Sequence, residues 1–155
     1  MEIIIVGCGK VGRTLAEQLS NEKHNIVIVD LNEKKIQDTA EDMDIMALHG
    51  NASSINTLME AGIETADLLI AVTGSDELNL LCCLIAKKVS ACHTIARVRN
   101  PVYSKEIGFI KDSLGISMII NPELAVAMEI ARLLRFPSAI KIDTFAKGRV
   151  ELLKF

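Results

Sequence analysis

Ile3-Ile-Ile-Val-Gly-Cys-Gly-Lys-Val-Gly12 is the stretch of sequence that decides the fold of this 155-residue chain. Its apolar first part has the pattern of a buried strand, and its second part carries glycines with G-x-G-x-x-G spacing. Helical periodicity follows over residues 11–21, and a second apolar run, Ile26–Val29, ends at Asp30. This order predicts a βαβ unit that binds a dinucleotide: a strand, a glycine loop, a helix, a second strand and an acid.

Each glycine has its own physical task in such a unit. Gly7 permits the tight turn out of the strand, Gly9 lets a pyrophosphate approach the backbone, and Gly12 lets the helix pack close to the strand. Amide groups at the start of the helix then face the phosphates, and the helix dipole adds to the attraction. The alternative is a glycine turn that packs the unit and binds no ligand.

The acid after the second strand indicates which nucleotide fits. Asp30 can accept hydrogen bonds from both hydroxyls of an adenosine ribose, and its charge repels a 2′-phosphate. Residues 31–33 include no arginine that would neutralise such a phosphate. The sequence therefore favours NAD(H), or an adenine nucleotide with an unmodified ribose, over NADP(H).

Composition limits the classes to which the chain can belong. Hydrophobic residues make up 50% of the chain and the mean hydropathy is +0.32, yet no apolar run approaches the ~20 residues of a membrane-spanning helix. The net charge is −3 and no basic run alternates with aromatic residues, so we expect no nucleic-acid binding. The strand at the amino terminus leaves no room for a signal peptide, which predicts a cytoplasmic location. The cysteines and histidines show no metal-ligand spacing, so no metal site is predicted.

Short apolar strands alternate with helical segments along most of the chain. This alternation predicts a doubly wound α/β fold of Rossmann type, whose six-stranded parallel sheet has the order 3-2-1-4-5-6 and a ligand crevice at the carboxyl ends of strands one and four. Asn100-Pro101 and Asn121-Pro122 mark helix starts. Strands are predicted near 2–6, 25–30, 46–49, 67–73, 94–99 and 117–120, and helices near 11–21, 33–43, 54–61, 77–89, 102–114 and 123–135.

The same alternation suggests a division into two parts. Residues 1–136 are predicted to form the nucleotide-binding domain, because the βα units consume that length. Residues 137–155 are predicted to be a linker and a short β extension, with strands at 139–145 and 149–153 around Lys147-Gly148.

Further contacts are expected where the third and fourth strands end. Thr73 and Gly74 can border the adenosine or the pyrophosphate, whereas Asp76 is expected to be the N-cap of the next helix. Asn51 or Ala52 could flank the adenine, and a turn and helix cap over residues 51–54 is the alternative.

The fifth strand carries two arginines, Arg97 and Arg99, on one face, because residues two apart on a strand share a face. One of them could reach phosphates or the nicotinamide ribose while the other contacts a neighbouring acid. The alternative is a pair of solvent-facing charges at the edge of the sheet.

No catalytic residues are predicted. Hydride transfer requires a positioned acid or base and a substrate pocket. Tyr103 has Ile107 rather than a lysine four residues on, and His24, His49 and His93 have no carboxylate at pairing distance in the sequence. The βα units also leave too little chain for a substrate domain.

Five separated motifs agree in order and spacing with one known family. They are the stretch from Ile3 to Gly12, Ile-Val-Asp30, Asp67-Leu-Leu-Ile-Ala-Val-Thr-Gly-Ser-Asp-Glu-Leu-Asn79, Ile95-Ala-Arg-Val-Arg99 and Asn121-Pro-Glu. Over nearly its whole length the chain resembles the N-terminal nucleotide-binding domain of the TrkA family, also called RCK or KTN. The resemblance implies a regulatory subunit of a Trk-type potassium uptake system, which binds NAD(H), or ATP or ADP, and acts on a TrkH-like membrane potassium-translocating subunit.

The resemblance also implies where the nucleotide binds. Together with Gly12, Asn51 and Ala52 discussed above, the expected contacts are Gly7, Cys8, Gly9, Lys10 and Val11 in the phosphate loop, Asp30 at the ribose, Thr73 and Gly74 at the fourth strand, and Arg97 on the fifth. The C-terminal strands resemble the start of the module that follows this domain in the family. The chain is therefore interpreted as a fragment, or as a product that works with other subunits.

Two helical segments, 78–86 and 124–134, are apolar nearly all round and need cover on more than one side. A homodimer or higher homo-oligomer is the expected explanation, and cover by the C-terminal hairpin is the alternative. A cytoplasmic regulatory subunit is thus the favoured function. A small NAD-dependent oxidoreductase completed by a partner chain is the alternative, and a purely structural assembly module with an empty cleft is a third interpretation.

Overall fold

The computed structural model of the chain describes residues 1–104, 106–135, 141–145 and 150–154. The chain divides into two compact units, Met1–Ile120 and Asn121–Phe155. The predicted domain boundary after residue 136 stays a prediction, because residues 136–140 lie outside the described part of the chain.

The first unit is a doubly wound α/β layer structure, which confirms the predicted fold class. All six strands of its sheet are parallel, and their order is β3-β2-β1-β4-β5-β6. The strands are β1 (Glu2–Val6), β2 (Asn25–Asp30), β3 (Met46–His49), β4 (Leu68–Ala71), β5 (His93–Arg97) and β6 (Met118–Ile120). The helices are α1 (Lys10–Asn21), α2 (Glu33–Asp42), α3 (Ile55–Glu60), α4 (Asp76–Val89), α5 (Pro101–Ser104) and α6 (Ile107–Leu114).

The alternation of side chains along β1 explains why the sheet is covered on both faces. Ile3 and Ile5 pack into one hydrophobic cluster, while Ile4 and Val6 pack into the cluster on the opposite face. All four are at most 2% exposed, as expected for the central strand of a parallel sheet between two helical layers.

β4 and β5 each end two residues earlier than predicted, and side chains of α4 account for both differences. The Thr73 amide donates to Asn79 Oδ1 at 2.8 Å, and the Arg99 amide donates to Asp76 Oδ2 at 2.9 Å. These amides therefore leave the hydrogen-bond ladder of the sheet just where it opens toward the cleft described below.

Both asparagine-proline pairs begin helices as predicted. Asn100 Oδ1 accepts from the Val102 amide at 3.0 Å, and Asn121 Oδ1 accepts from the Leu124 amide at 2.9 Å. The prediction of one continuous helix over 102–114 is wrong, because the structure has two separate helices there, α5 and α6. Between them the Glu106 amide bonds to Tyr103 O at 3.0 Å, the shorter spacing of a turn.

The second unit contains α7 (Pro122–Arg135), β7 (Lys141–Phe145) and β8 (Val150–Lys154). β7 and β8 pair in antiparallel register from Lys141 opposite Lys154 to Phe145 opposite Val150, which confirms the predicted hairpin strands where they are described. The predicted Lys147-Gly148 turn lies outside the described residues. Among the described helices, none is both long and apolar enough to cross a membrane.

Candidate functional site

A cleft of about 250 Å³ opens at the carboxyl ends of the central strands. It lies where the strand order reverses between β1 and β4, the place where doubly wound sheets bind their ligands. Its walls combine the glycine loop, the end of β2 and the segment after β4. The lining residues are Val6, Gly7, Gly9, Val29, Asp30, Leu31, Lys35, Gly50, Ala52, Val72, Thr73, Gly74 and Leu78.

Two glycines of the loop are required by the protein's own packing. Gly7 has a φ of +109°, and a Cβ at this position would lie 2.9 Å from the Thr73 amide nitrogen. A Cβ on Gly12 would overlap Gly7 O, so only glycine lets α1 pack this closely on the loop. Any side chain at either position would push the loop away from β4 or from the helix.

Gly9 is different, because neither its backbone nor its protein neighbours require a glycine. Its φ of −82° is open to any residue, and no described atom lies within 4 Å of the Cβ position. Gly9 lines the cleft at the N-cap of α1, so a Cβ there would occupy space in front of the first amides of the helix. This is the space that a phosphate group would need.

Asp30 connects the end of β2 to the glycine loop. Its Oδ2 accepts from the Cys8 amide at 2.6 Å, and its Oδ1 accepts from the Asn32 amide at 2.8 Å. A carboxylate has about four lone-pair sites, so each oxygen can accept one more hydrogen bond. The side chain is half-buried and lines the cleft.

Asn79, on α4, holds the segment after β4 and was not among the residues predicted for the site. Its Oδ1 accepts from the Thr73 amide at 2.8 Å and from Thr73 Oγ1 at 2.7 Å, and its Nδ2 donates to Arg97 O at 2.8 Å. The side chain is completely buried. The available signal was a single amide within the otherwise apolar run from Leu78 to Ala86.

The predicted N-cap role of Asp76 is wrong. Ser75 is the N-cap of α4, and its side chain accepts from the Leu78 amide at 3.2 Å. Asp76 is the first residue of the helix, and its Oδ2 instead accepts from the amides of Arg99 at 2.9 Å and Asn100 at 2.7 Å. The carboxylate therefore fixes the chain that leaves β5.

The two arginines of the fifth strand have different surroundings. Arg99 Nη2 donates to Gly74 O at 2.7 Å, and Arg99 Nε lies 3.9 Å from Asp76 Oδ1, so Arg99 is the arginine that contacts a neighbouring acid. Arg97 is half-buried and does not line the cleft. β5 lies inside the sheet rather than at its edge, so the alternative of two edge charges is wrong.

The cleft brings together half of the expected contacts within the described part of the chain. Gly7, Gly9, Asp30, Ala52, Thr73 and Gly74 line it, whereas Cys8, Lys10, Val11, Gly12, Asn51 and Arg97 do not. Cys8 Sγ is buried 3.0 Å from Thr39 Oγ1, and Lys10 and Val11 are exposed at the start of α1. Asn51 Oδ1 accepts from the amide and hydroxyl of Ser53, as the alternative of a local turn requires.

Lys35 and Gly50 line the cleft and were not predicted. Lys35 follows Asp30 by five positions and lies in the first turn of α2, while Gly50 follows β3. The sequence prediction considered only residues 31–33, which contain no arginine, and it therefore overlooked the positive charge that Lys35 brings to the cleft. Only the direction in which α2 leaves β2 brings the lysine to this wall.

The four cysteines are buried free thiols. Burial raises the pKa of Cys82 and of Cys83 to about 12, so both thiols are protonated at neutral pH. Among the described residues, no three of the histidines, cysteines, aspartates and glutamates are grouped to hold a metal ion.

Comparison with known proteins gives a consistent result. Residues 3–122 match the family model described as the TrkA-N domain. The Trk system potassium uptake protein TrkA homolog of Archaeoglobus fulgidus is 41% identical over 154 residues, which are 99% of this chain and 35% of that protein. The chain thus spans about a third of the length of that relative.

Solved structures share the fold. The TrkA-N domain of the inner membrane protein ybaL from Escherichia coli has a TM-score of 0.76 at 23% identity, covering 86% of this chain and 96% of that domain. The GsuK channel bound to NAD has a TM-score of 0.66 at 24% identity, covering 77% of this chain and 21% of the channel chain.

Proposed function

The chain belongs to the TrkA-N domain family, and from this membership we propose that it is the nucleotide-binding part of a regulatory subunit of a potassium uptake system. Its ligand is NAD(H), with ATP or ADP as the other candidates. Its partner is a TrkH-like membrane subunit that translocates potassium, and its location is the cytoplasmic side of the membrane. The observation that carries the proposal is the cleft shared by the glycine loop, Asp30 and the segment after β4.

The residues of the cleft fit a nucleotide. Asp30 keeps free lone pairs for both ribose hydroxyls while its bonds to the Cys8 and Asn32 amides hold it in place. The first amides of α1 have no acceptor within their own helix and point toward the space beside Gly9. Hydrogen bonds from these amides and the helix dipole would hold the phosphates there.

The part of the cleft around Asp30 also disfavours the 2′-phosphate of NADP(H). A 2′-phosphate would meet the Asp30 carboxylate, although the positive charge of Lys35, which also lines the cleft, would offset part of the repulsion. We therefore expect NAD(H) to bind more tightly than NADP(H), by a smaller margin than Asp30 alone would produce.

A regulatory role requires that the ligand bind one arrangement of the assembled subunits better than another. The ligand can shift that equilibrium only by its difference in affinity between the two arrangements. A homodimer or higher homo-oligomer supplies such arrangements, and the large apolar side chains exposed on α7 support this assembly. In this role the protein binds the nucleotide and does not turn it over.

A competition titration tests the proposal. Calorimetry of one purified sample with NAD⁺, NADH, ATP, ADP and NADP⁺ should show binding of at least one adenine nucleotide, with NAD(H) tighter than NADP⁺. The absence of binding by all five would contradict the proposal and leave a structural assembly module. Sustained oxidation of NADH on addition of a pool of carbonyl compounds would replace it with the oxidoreductase alternative.

A further inference from the structure

One buried amide connects the two strand ends that flank the cleft. Asn79 is 0% exposed, and both ends of its side-chain amide are used. The oxygen accepts from the amide and hydroxyl of Thr73, and the nitrogen donates to Arg97 O at 2.8 Å and to Thr73 O at 3.4 Å. These donors and acceptors fix the orientation of the amide, because a flipped amide would face donors with a donor.

A polar group at this position is not needed for packing. The neighbouring buried residues of α4, Cys82, Cys83 and Ala86, belong to the hydrophobic cluster under the sheet. A buried amide is tolerated only when its hydrogen bonds are made, whereas an apolar side chain would gain from the same burial. The position of Asn79 in the first turn of α4 places its amide level with the carboxyl ends of β4 and β5 instead.

Thr73, which Asn79 holds, borders the cleft on two sides. It lines the cleft directly, and its main chain lies so close to Gly7 that a Cβ built there would be 2.9 Å from the Thr73 amide nitrogen. Thr73 thus packs beside the glycine loop, and a shift of Thr73 toward β1 would bring its main chain against Gly7. If it moves the other way, the cleft widens between β1 and β4.

We propose that Asn79 is a positioning residue for the nucleotide: it sets the affinity of the cleft by fixing Thr73 against the glycine loop and joining it to the end of β5. This inference rests on the proposed function. Asn79 is too deeply buried to contact the ligand and acts through Thr73 and Arg97. Loss of its amide would remove the hydrogen bonds that Asn79 makes to the Thr73 amide and to Arg97 O, and so would loosen the segment after β4.

The test compares Asn79→Leu with Thr94→Val in the full chain. Thr94 is equally buried, but its hydroxyl accepts from the Ser117 amide at 3.3 Å on the other half of β5, away from the cleft. Calorimetric affinities for NAD⁺ should be measured well below each melting temperature. We expect about tenfold or greater weakening for Asn79→Leu with unchanged stoichiometry, and less than about twofold for Thr94→Val despite its lower melting temperature.

Hydrogen exchange of the Thr73 amide supplies a second readout that a general loss of stability would not produce. Asn79→Leu should increase exchange at residues 72–74 more than at 94–96. Asn79→Ser, which keeps a hydroxyl and removes less volume, provides the same comparison if the leucine variant does not fold. Faster exchange at Thr73 with wild-type affinity would overturn the inference, whereas failure of the wild-type chain to bind any nucleotide would overturn the proposed function.

Discussion

At the residue scale, the Asp30 carboxylate has one observed task and one proposed task. It ties the Cys8 amide of the glycine loop to the end of β2, and we propose that its remaining lone pairs accept hydrogen bonds from a ribose. The sequence indicated the second task from spacing alone. The first task emerges only from the folded loop, where the acid shapes the site that it also completes.

We expect Asp30→Ala to weaken NAD(H) binding by about 1–3 kcal/mol, because charged hydrogen bonds to the ribose are lost. The ratio of NADP⁺ to NAD⁺ affinity should rise at the same time, since the charge that repels a 2′-phosphate is gone while Lys35 remains. Calorimetry with both ligands measures the two effects.

Asp67→Ala is the matched control for this change. Asp67 Oδ2 also accepts a main-chain amide, that of Glu2 at 2.8 Å, but it lies at the amino ends of the strands. Its removal should leave both affinities unchanged. Equal NAD⁺ affinity for the Asp30 variant and the wild type would reduce Asp30 to a structural residue of the loop.

At the element scale, α4 combines two kinds of burial. Its first turn places Asp76 and Asn79 on the strand ends beside the cleft, and its later turns place Cys82 and Cys83 in the apolar cluster. One helix thus supplies both the polar supports of the site and part of the core. Only the first kind of burial bears on the proposed nucleotide site.

We expect the buried thiols of Cys82 and Cys83 to cause a loss of stability at alkaline pH. The folded-state pKa of each thiol, about 12, lies above the ordinary value of 9.0 because burial disfavours the thiolate. The contribution of these thiols to the free energy of unfolding is therefore fully present below pH 9, and it is lost as the pH rises from 9 toward 12. Each thiol adds a decrease of up to about 1.4 kcal/mol per pH unit to the free energy of unfolding in that range.

Urea unfolding at several pH values checks this expectation against the Cys82→Ala/Cys83→Ala double variant. The variant starts from a lower stability because it loses buried volume, but its stability should fall less steeply above pH 9. Other titrating groups contribute equally to both proteins, so the difference in slope belongs to the thiols. Parallel curves would show that the two thiols titrate normally in the folded chain.

At the scale of the whole molecule, α7 of the second unit presents several large apolar side chains that are exposed among the described residues. Leu124, Val126, Met128, Ile130, Leu133 and Leu134 of α7 are all exposed. The sequence had marked α4 and the last helix as equally apolar, but Leu81 is the only exposed apolar residue of α4, whose other apolar residues are buried or half-buried. The case for self-association therefore depends on α7.

Sedimentation of the wild-type chain at tens of micromolar should show a dimer or larger species. Val126→Glu with Ile130→Glu should shift it to monomer, since two charges on the apolar face would have to be desolvated in the interface. Met46→Glu, at an exposed apolar position on β3, is the control and should not change the oligomeric state. A monomeric wild type would contradict the proposed assembly.

The amino-acid sequence by itself determined the order of helices and strands, the glycine loop and the acid at the end of the second strand. Those features depend on residues near one another in the chain: apolar runs define strands, helical periodicity defines helices, and Gly7, Gly12 and Asp30 occur at fixed spacing. The parallel order 3-2-1-4-5-6 then followed from the alternation of elements.

Only the tertiary structure decided which side chains support the cleft. Asn79 reaches Arg97, Asp76 reaches Arg99 and Asn100, and Lys35 joins Asp30 on one wall, although nothing in their spacing connects them. Such contacts depend on the direction in which each helix leaves its strand and on the rotamers that packing allows. A local pattern cannot encode either, so the supports of the site become visible only when the sheet and its helices are assembled.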